Sequence, residues 1–242
     1  MVVNDATSRP ACSTRDAGQS GEAALQQAHH RSCDFSGYCV GFLFRVRVHS
    51  AQNEKNAVPE RELQAKMAYC ENCHGVSGRG FQGYYPIPRL AGQQPEYIKN
   101  QLQAFIERRR TNNIMFNVSH VLTPAMLDAL TTSFQNLNPK PLVIGAPKEL
   151  VADGKKIYEE GLPASDVPPC ASCHGPEAKG DGQFPRLAGQ LSDYLVNKLK
   201  NWTKERGQDP AKPDASAIMQ PIAHSLNDQQ IKAVAAYLNY QE

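Results

Sequence analysis

The chain has 242 residues, of which 26 are Lys or Arg, 24 are Asp or Glu and 40% are apolar, so it can bury a core and is no disordered tail. A net charge of +2, with both signs interspersed, gives no electrostatic footprint for nucleic acid. The longest apolar run, Tyr38 to Phe44, is far short of the roughly eighteen residues that cross a bilayer.

Residues 1–51 are rich in Ser, Ala, Gln and Arg and hold Cys12, Cys33 and Cys39 at no regular spacing. A charged flank, then Tyr38 to Phe44, then Val48-His49-Ser50-Ala51 is the order of an export signal, although Arg45 and Arg47 interrupt it. The alternative is a disordered extension or a misplaced start. Neither adds to a core.

Beyond this segment the expected elements are helical and occur twice. A first helix is expected over Val58 to Tyr69, followed by Cys70-Glu71-Asn72-Cys73-His74 and then Pro88-Arg89-Leu90-Ala91-Gly92-Gln93. Pro95 to Arg110 places Ile98, Leu102, Phe105 and Ile106 on one face. Ile114-Met115 and His120 follow. Thr123 then Pro124 reads as an N-cap with a first-turn proline, with Leu127, Leu130, Phe134 and Leu137 at helical spacing behind it. Three prolines between Leu137 and Pro147 can neither continue a helix nor sit inside a sheet.

The order then recurs. A helix is expected over Ala152 to Glu160, then Cys170-Ala171-Ser172-Cys173-His174, Pro185-Arg186-Leu187-Ala188-Gly189-Gln190, a helix over Ser192 to Arg206, and Ile218-Met219 with His224. Asn227 with Gln230 is close to a capping box, and Ile231, Val234 and Leu238 follow it. Three anchors in one order indicate duplication. The expected organisation is a poorly structured extension or atypical signal over 1–51, lobes over 52–138 and 151–242, and a Pro-rich linker over 139–150. The fold class is all-α: two short-helix lobes, each with too small a core unless something large and apolar fills its centre.

Cys-x-x-Cys-His supplies that filler. It is the attachment signature of c-type haem, in which two thiols add to the vinyl groups and the imidazole ligates iron. From composition alone one such pentapeptide is expected roughly 0.006 times, so two in matching positions are not chance. A zinc site would bring its Cys pairs much closer in sequence than Cys73 and Cys170. A redox dithiol would use one motif beside a strand-helix-strand unit.

Each iron then needs a sixth ligand, and Met115 and Met219 recur at equivalent places. A thioether is soft, cannot be protonated and raises the potential. His120 and His224 also recur and are the second choice. Met126 is an internal rival on the apolar side of a helix, and Met67 is expected to pack. Arg89 and Arg186 could approach haem propionates or be exposed loop arginines.

Assembled, these residues make residues 55–240 resemble the dihaem cytochrome c4 family: tandem class I cytochrome c lobes, each with Cys-x-x-Cys-His, a Pro-x-Leu-Ala-Gly-Gln segment and a later Met. The resemblance implies two covalently bound haem c groups, held by Cys70, Cys73, His74, Met115, Pro88 and Leu90 and by Cys170, Cys173, His174, Met219, Pro185 and Leu187. His74, Met115, His174 and Met219 would ligate iron. The carbonyls of Pro88 and Pro185 would accept the free N–H of His74 and His174, and Leu90 and Leu187 would pack on haem. First and last helices of a lobe would cross, bringing Gly154 and Tyr158 to Tyr237 and Leu238. The first lobe has no glycine at the matching place.

The same resemblance implies a one-electron carrier rather than an enzyme, passing electrons from a bc1-type donor to a terminal oxidase in the bacterial periplasm, soluble or peripherally membrane-associated. The alternative is a dihaem enzyme or subunit: a thiosulfate dehydrogenase, a peroxidase or the cytochrome subunit of a flavoprotein dehydrogenase. That reading needs an open iron, against which a Met in both lobes argues. A third class, a metal-binding structural module, requires a protein without haem.

Overall fold

The computed structural model describes residues 57–206 and 215–242. The N-terminal segment over 1–51, with Cys12, Cys33 and Cys39, lies outside the described residues. Among those described there are ten α-helices and no strand. The β-pairing is limited to isolated bridges, one of them between Arg110 and Arg206.

In the first lobe α1 (Glu60–His74) follows Pro59 and carries Glu60 and Glu62 in its first turn, where the positive end of the helix dipole favours them. No Gly or Pro interrupts it before Gly75, so it continues five residues past the expected end, through the Cys-x-x-Cys-His motif itself. α2 (Pro95–Ile106) starts with Pro95 and buries Ile98, Gln101, Ala104 and Phe105. It stops four residues short of expectation because Arg108 takes a left-handed φ of 61°, a conformation that ends helices. α3 (Asn113–Ser119) carries Met115, and α4 (Pro124–Gln135) is capped by Thr123, whose side chain accepts from Met126 N at 3.2 Å. Met67, Ile98, Met126, Leu130 and Phe134 form the core of this lobe.

In the second lobe α5 (Val151–Glu160) ends at Gly161, whose φ of 72° and close approach to the Val167 carbonyl admit no side chain. Pro163, Pro168 and Pro169 carry the chain to a separate one-turn α6 (Ala171–His174). The helix expected over Ser192 to Arg206 is two, α7 (Ser192–Lys200) and α8 (Trp202–Glu205). At the break the Asn201 amide bonds the Asn197 carbonyl and side chain, a local alternative to the helix ladder. α9 (Ser216–Ser225) carries Met219. α10 (Asp228–Tyr240) opens with a complete Asn227/Gln230 capping box and buries its whole apolar stripe.

α10 crosses α5 at Gly154. A β-carbon there would lie 2.0 Å from the Ala233 carbonyl oxygen, so the two backbones meet only because residue 154 has no side chain. Tyr158 is fully buried beside Tyr237, and its hydroxyl donates to the Gly175 carbonyl at 2.6 Å. The crossing therefore pins the turn that follows His174. Between the lobes, residues 139–147 run without regular structure over both surfaces, held by Arg89 at Pro139 and by Asn239 at Leu142.

Candidate functional site

Both motif histidines are buried and oriented by the same device. His74 Nδ1 donates to the Pro88 carbonyl at 2.8 Å, and His174 Nδ1 donates to the Pro185 carbonyl at 3.0 Å. A carbonyl only accepts, so each Nδ1 holds the proton and each Nε2 presents a lone pair. Burial lowers both pKa values and keeps the rings neutral, the form in which imidazole binds a metal.

A continuous cavity of about 580 Å³ runs through both lobes. Its wall is mostly apolar and includes His74, Pro88, Leu90 and Met115 from the first lobe and His174, Pro185, Leu187 and Met219 from the second. Cys73, Cys170 and Cys173 also line it. Cys70 does not: it packs half-buried against the first-lobe core. Burial raises the thiol pKa of Cys70, and raises that of Cys170 to about 11. The second-choice ligands lie outside this wall. His120 Nδ1 donates to the Phe116 carbonyl, and His224 pairs with the Thr203 hydroxyl. Met126 and Met67 belong to the core. The two Cys pairs do not converge, and among the described residues no group of three or more His, Cys, Asp or Glu could hold a metal ion.

Of the two readings open for Arg89 and Arg186, that of exposed loop residues is excluded, because both are buried between the lobes. Arg89 donates to Ala91 O, Pro139 O and Asn138 Oδ1, and Arg186 donates to Ala188 O. Burial and the neighbouring guanidiniums of Arg186 and Arg79 lower the Arg89 pKa to about 10.

The repeated glutamines are exchanged across the same boundary. Gln93 clasps the backbone of Arg186, accepting from its N–H at 2.7 Å and donating to its carbonyl at 3.0 Å. Gln190 does the same to Arg89, at 2.8 and 3.1 Å. Each lobe thus braces the segment that orients the other lobe's histidine.

A second exchanged cluster escaped the sequence reading. Arg110 bonds Tyr194 and Arg206 bonds Tyr97, while both guanidiniums share Gln101 Oε1 at 2.8 and 3.0 Å. Burial opposes ionisation of Tyr194, yet Arg110, Lys198 and Arg206 outweigh it and hold its pKa below the usual phenol value. The available signal was that Tyr97 and Tyr194, like Gln93 and Gln190, recur exactly one repeat apart.

Two buried donors on the cavity wall, Arg186 Nη2 and Trp202 Nε1, have no acceptor among the described residues. Unmet buried donors are costly, so this wall is built for a ligand with an apolar body and anionic oxygens.

These features define a c-type cytochrome, and the cytochrome c family model matches residues 151–242. Cytochrome c4 of Thiocapsa roseopersicina is 38% identical over 175 residues, covering 70% of this chain and 85% of that protein. The thiosulfate dehydrogenase electron acceptor of Thiomonas intermedia (strain K12) is 35% identical over 182 residues, covering 72% and 79%. The Acidithiobacillus ferrooxidans cytochrome c4 structure aligns with a TM-score of 0.61 at 33% identity, over 72% of this chain and 98% of that one. The chain belongs to the cytochrome c4 family of dihaem cytochromes c, and is an electron-transfer protein that binds haem c covalently. Haem fits the wall described: a planar apolar macrocycle for the cavity, and propionates for the unpaired Arg186 and Trp202 donors.

Proposed function

We propose that the chain holds two haems, one in a lobe over 52–138 and one in a lobe over 151–242, joined by the linker over 139–150. Cys70, Cys73, Cys170 and Cys173 would form the thioether links. His74 with Met115 and His174 with Met219 would ligate the irons. The observation that carries this reading is that both pairs line one apolar cavity, each histidine already fixed as the Nδ1–H tautomer.

Bound haem supplies one-electron exchange between ferric and ferrous iron. The protein's own part is to orient and exclude. Pro88 and Pro185 hold the imidazoles, which limits rearrangement on electron transfer. Leu90 and Leu187, on the cavity wall, would keep water from the haem. Met115 and Met219 would hold the iron through thioethers, which favour the reduced state. Arg186 and Trp202 would supply donors for the haem carboxylates.

With both irons so ligated, the protein would be a carrier and not an enzyme. We place it in the bacterial periplasm, soluble or peripherally attached to the membrane, between a bc1-type donor and a terminal oxidase, with the segment over 1–51 as export signal or extension. A second reading differs in the donor. The Thiomonas relative is named as the electron acceptor of thiosulfate dehydrogenase, which favours an oxidoreductase of inorganic sulfur as the source of electrons.

The test is the visible spectrum of the reduced holoprotein, with haem counted per chain and carbon monoxide then added. Two haems that ignore carbon monoxide are expected; carbon monoxide binding at either would move the assignment to an enzyme. Met219→Ala should open the second haem alone and lower its potential. Comparing reduction rates by a bc1 complex and by a thiosulfate dehydrogenase separates the two donors.

A further inference from the structure

The two methionine helices are built differently. α3 has seven residues, too few to be stable by backbone bonding alone. Both backbone polar groups of Met115 nevertheless bond side chains. Asn112, at the N-cap, accepts from Met115 N at 2.9 Å, and the buried Ser119 hydroxyl donates to Met115 O at 2.6 Å. Next to Met115, the Phe116 ring is covered by the Arg108 guanidinium at 3.6 Å and stacked on the His120 ring at 5.3 Å. Arg108 also donates to Asn113, and it does so from its left-handed backbone conformation.

The second lobe has other residues at these places. Ala223 stands four residues beyond Met219, where Ser119 stands beyond Met115, so no hydroxyl is available there. Pro221 lies inside α9 and withholds a backbone donor, and Ser216 stands three residues before Met219, where Asn112 stands before Met115. His224 leaves its own helix for Thr203.

We propose that Asn112 and Ser119 are positioning residues for Met115: they hold its backbone at both ends and so make the first-lobe thioether–iron bond harder to displace. The inference rests on the reading of Met115 as an axial ligand. An N-cap acceptor is worth enough that its loss shifts an opening equilibrium on the order of tenfold, and here the opening carries the thioether away from iron.

The test is imidazole titration of the ferric, full-length holoprotein, following the thioether-to-iron charge-transfer absorption. The haem whose absorption is abolished by Met115→Ala is assigned to the first lobe. Asn112→Ala and Ser119→Ala should each lower the imidazole midpoint of that haem on the order of tenfold and leave the other unchanged. Asn112→Asp and Ser119→Thr, which keep the acceptor and the hydroxyl, should restore it. Equal shifts at both haems would mean a general loss of stability, and unchanged midpoints would mean no positioning role. Either result overturns the inference while leaving Met115 as ligand. If Met115→Ala itself leaves both haems closed, the ligand assignment fails first and the inference goes with it.

Discussion

The lobes bring a Cys-x-x-Cys-His turn to the same cavity by different routes. In the first, one uninterrupted helix delivers the motif on its last turns. In the second, α5 ends at Gly161 and a proline-bearing loop delivers the motif on a separate turn. Their stabilising contacts differ accordingly. The second lobe relies on backbone-to-backbone approach at Gly154 and on the Tyr158 hydroxyl, whereas the first relies on side chains such as Met67 and Phe134. The shared requirement is the position of the histidine and its carbonyl acceptor; the helices that deliver it are free to vary.

The sharpest way to break this comparison is Gly154→Ala. With a β-carbon 2.0 Å from the Ala233 oxygen, α5 and α10 must separate, and a loss of about 3 kcal/mol is expected, confined to the second lobe. Thermal unfolding followed at each haem would show it, and unchanged melting of the second lobe would refute the close crossing.

Gln93→Ala and Gln190→Ala each remove a pair of bonds across the boundary and should cost about 2 kcal/mol apiece in denaturant unfolding. Unequal losses would show that the exchange is not energetically symmetric. Tyr158→Phe leaves the Gly175 carbonyl without its donor and should cost about 1 kcal/mol, in the second lobe only.

Smallest and most informative about local order are the caps. Thr123→Ala loses one bond and Asn227→Ala disrupts a reciprocal box, so a loss of about 0.5 kcal/mol is expected at the first and about 0.8 kcal/mol at the second. Helix content by circular dichroism through the melt would rank them.

What could be read from the sequence was local. The Thr123-Pro124 start, the Asn227/Gln230 box and the two haem motifs each depend on residues within five positions of one another. The carbonyls of Pro88 and Pro185 came from family resemblance and agree with the observed bonds.

What could not be read depends on residues about a hundred positions apart. Arg89 and Arg186 look like surface loop residues until the other lobe covers them. α2 ends early because Arg108 turns the chain and Arg110 then pairs with Arg206. Apolar periodicity continues past that point and carries no sign of the partner. The length of α1 was legible in principle, from the lack of any Gly or Pro between Pro59 and Gly75. A twofold pattern of polar residues, by contrast, gains meaning only when the repeats are laid face to face.

The clasp of Gln93 on Arg186 and of Gln190 on Arg89 has the form of an isologous dimer contact: the same patch on each partner, used reciprocally. One lobe carrying that Gln and that Arg holds both halves of the bond set, and could close it against an identical copy. Joining two such lobes through the segment over 139–147 replaces a concentration-dependent association with an intramolecular one. The paired geometry then persists at any dilution, and each half becomes free to diverge, as the two methionine helices have done.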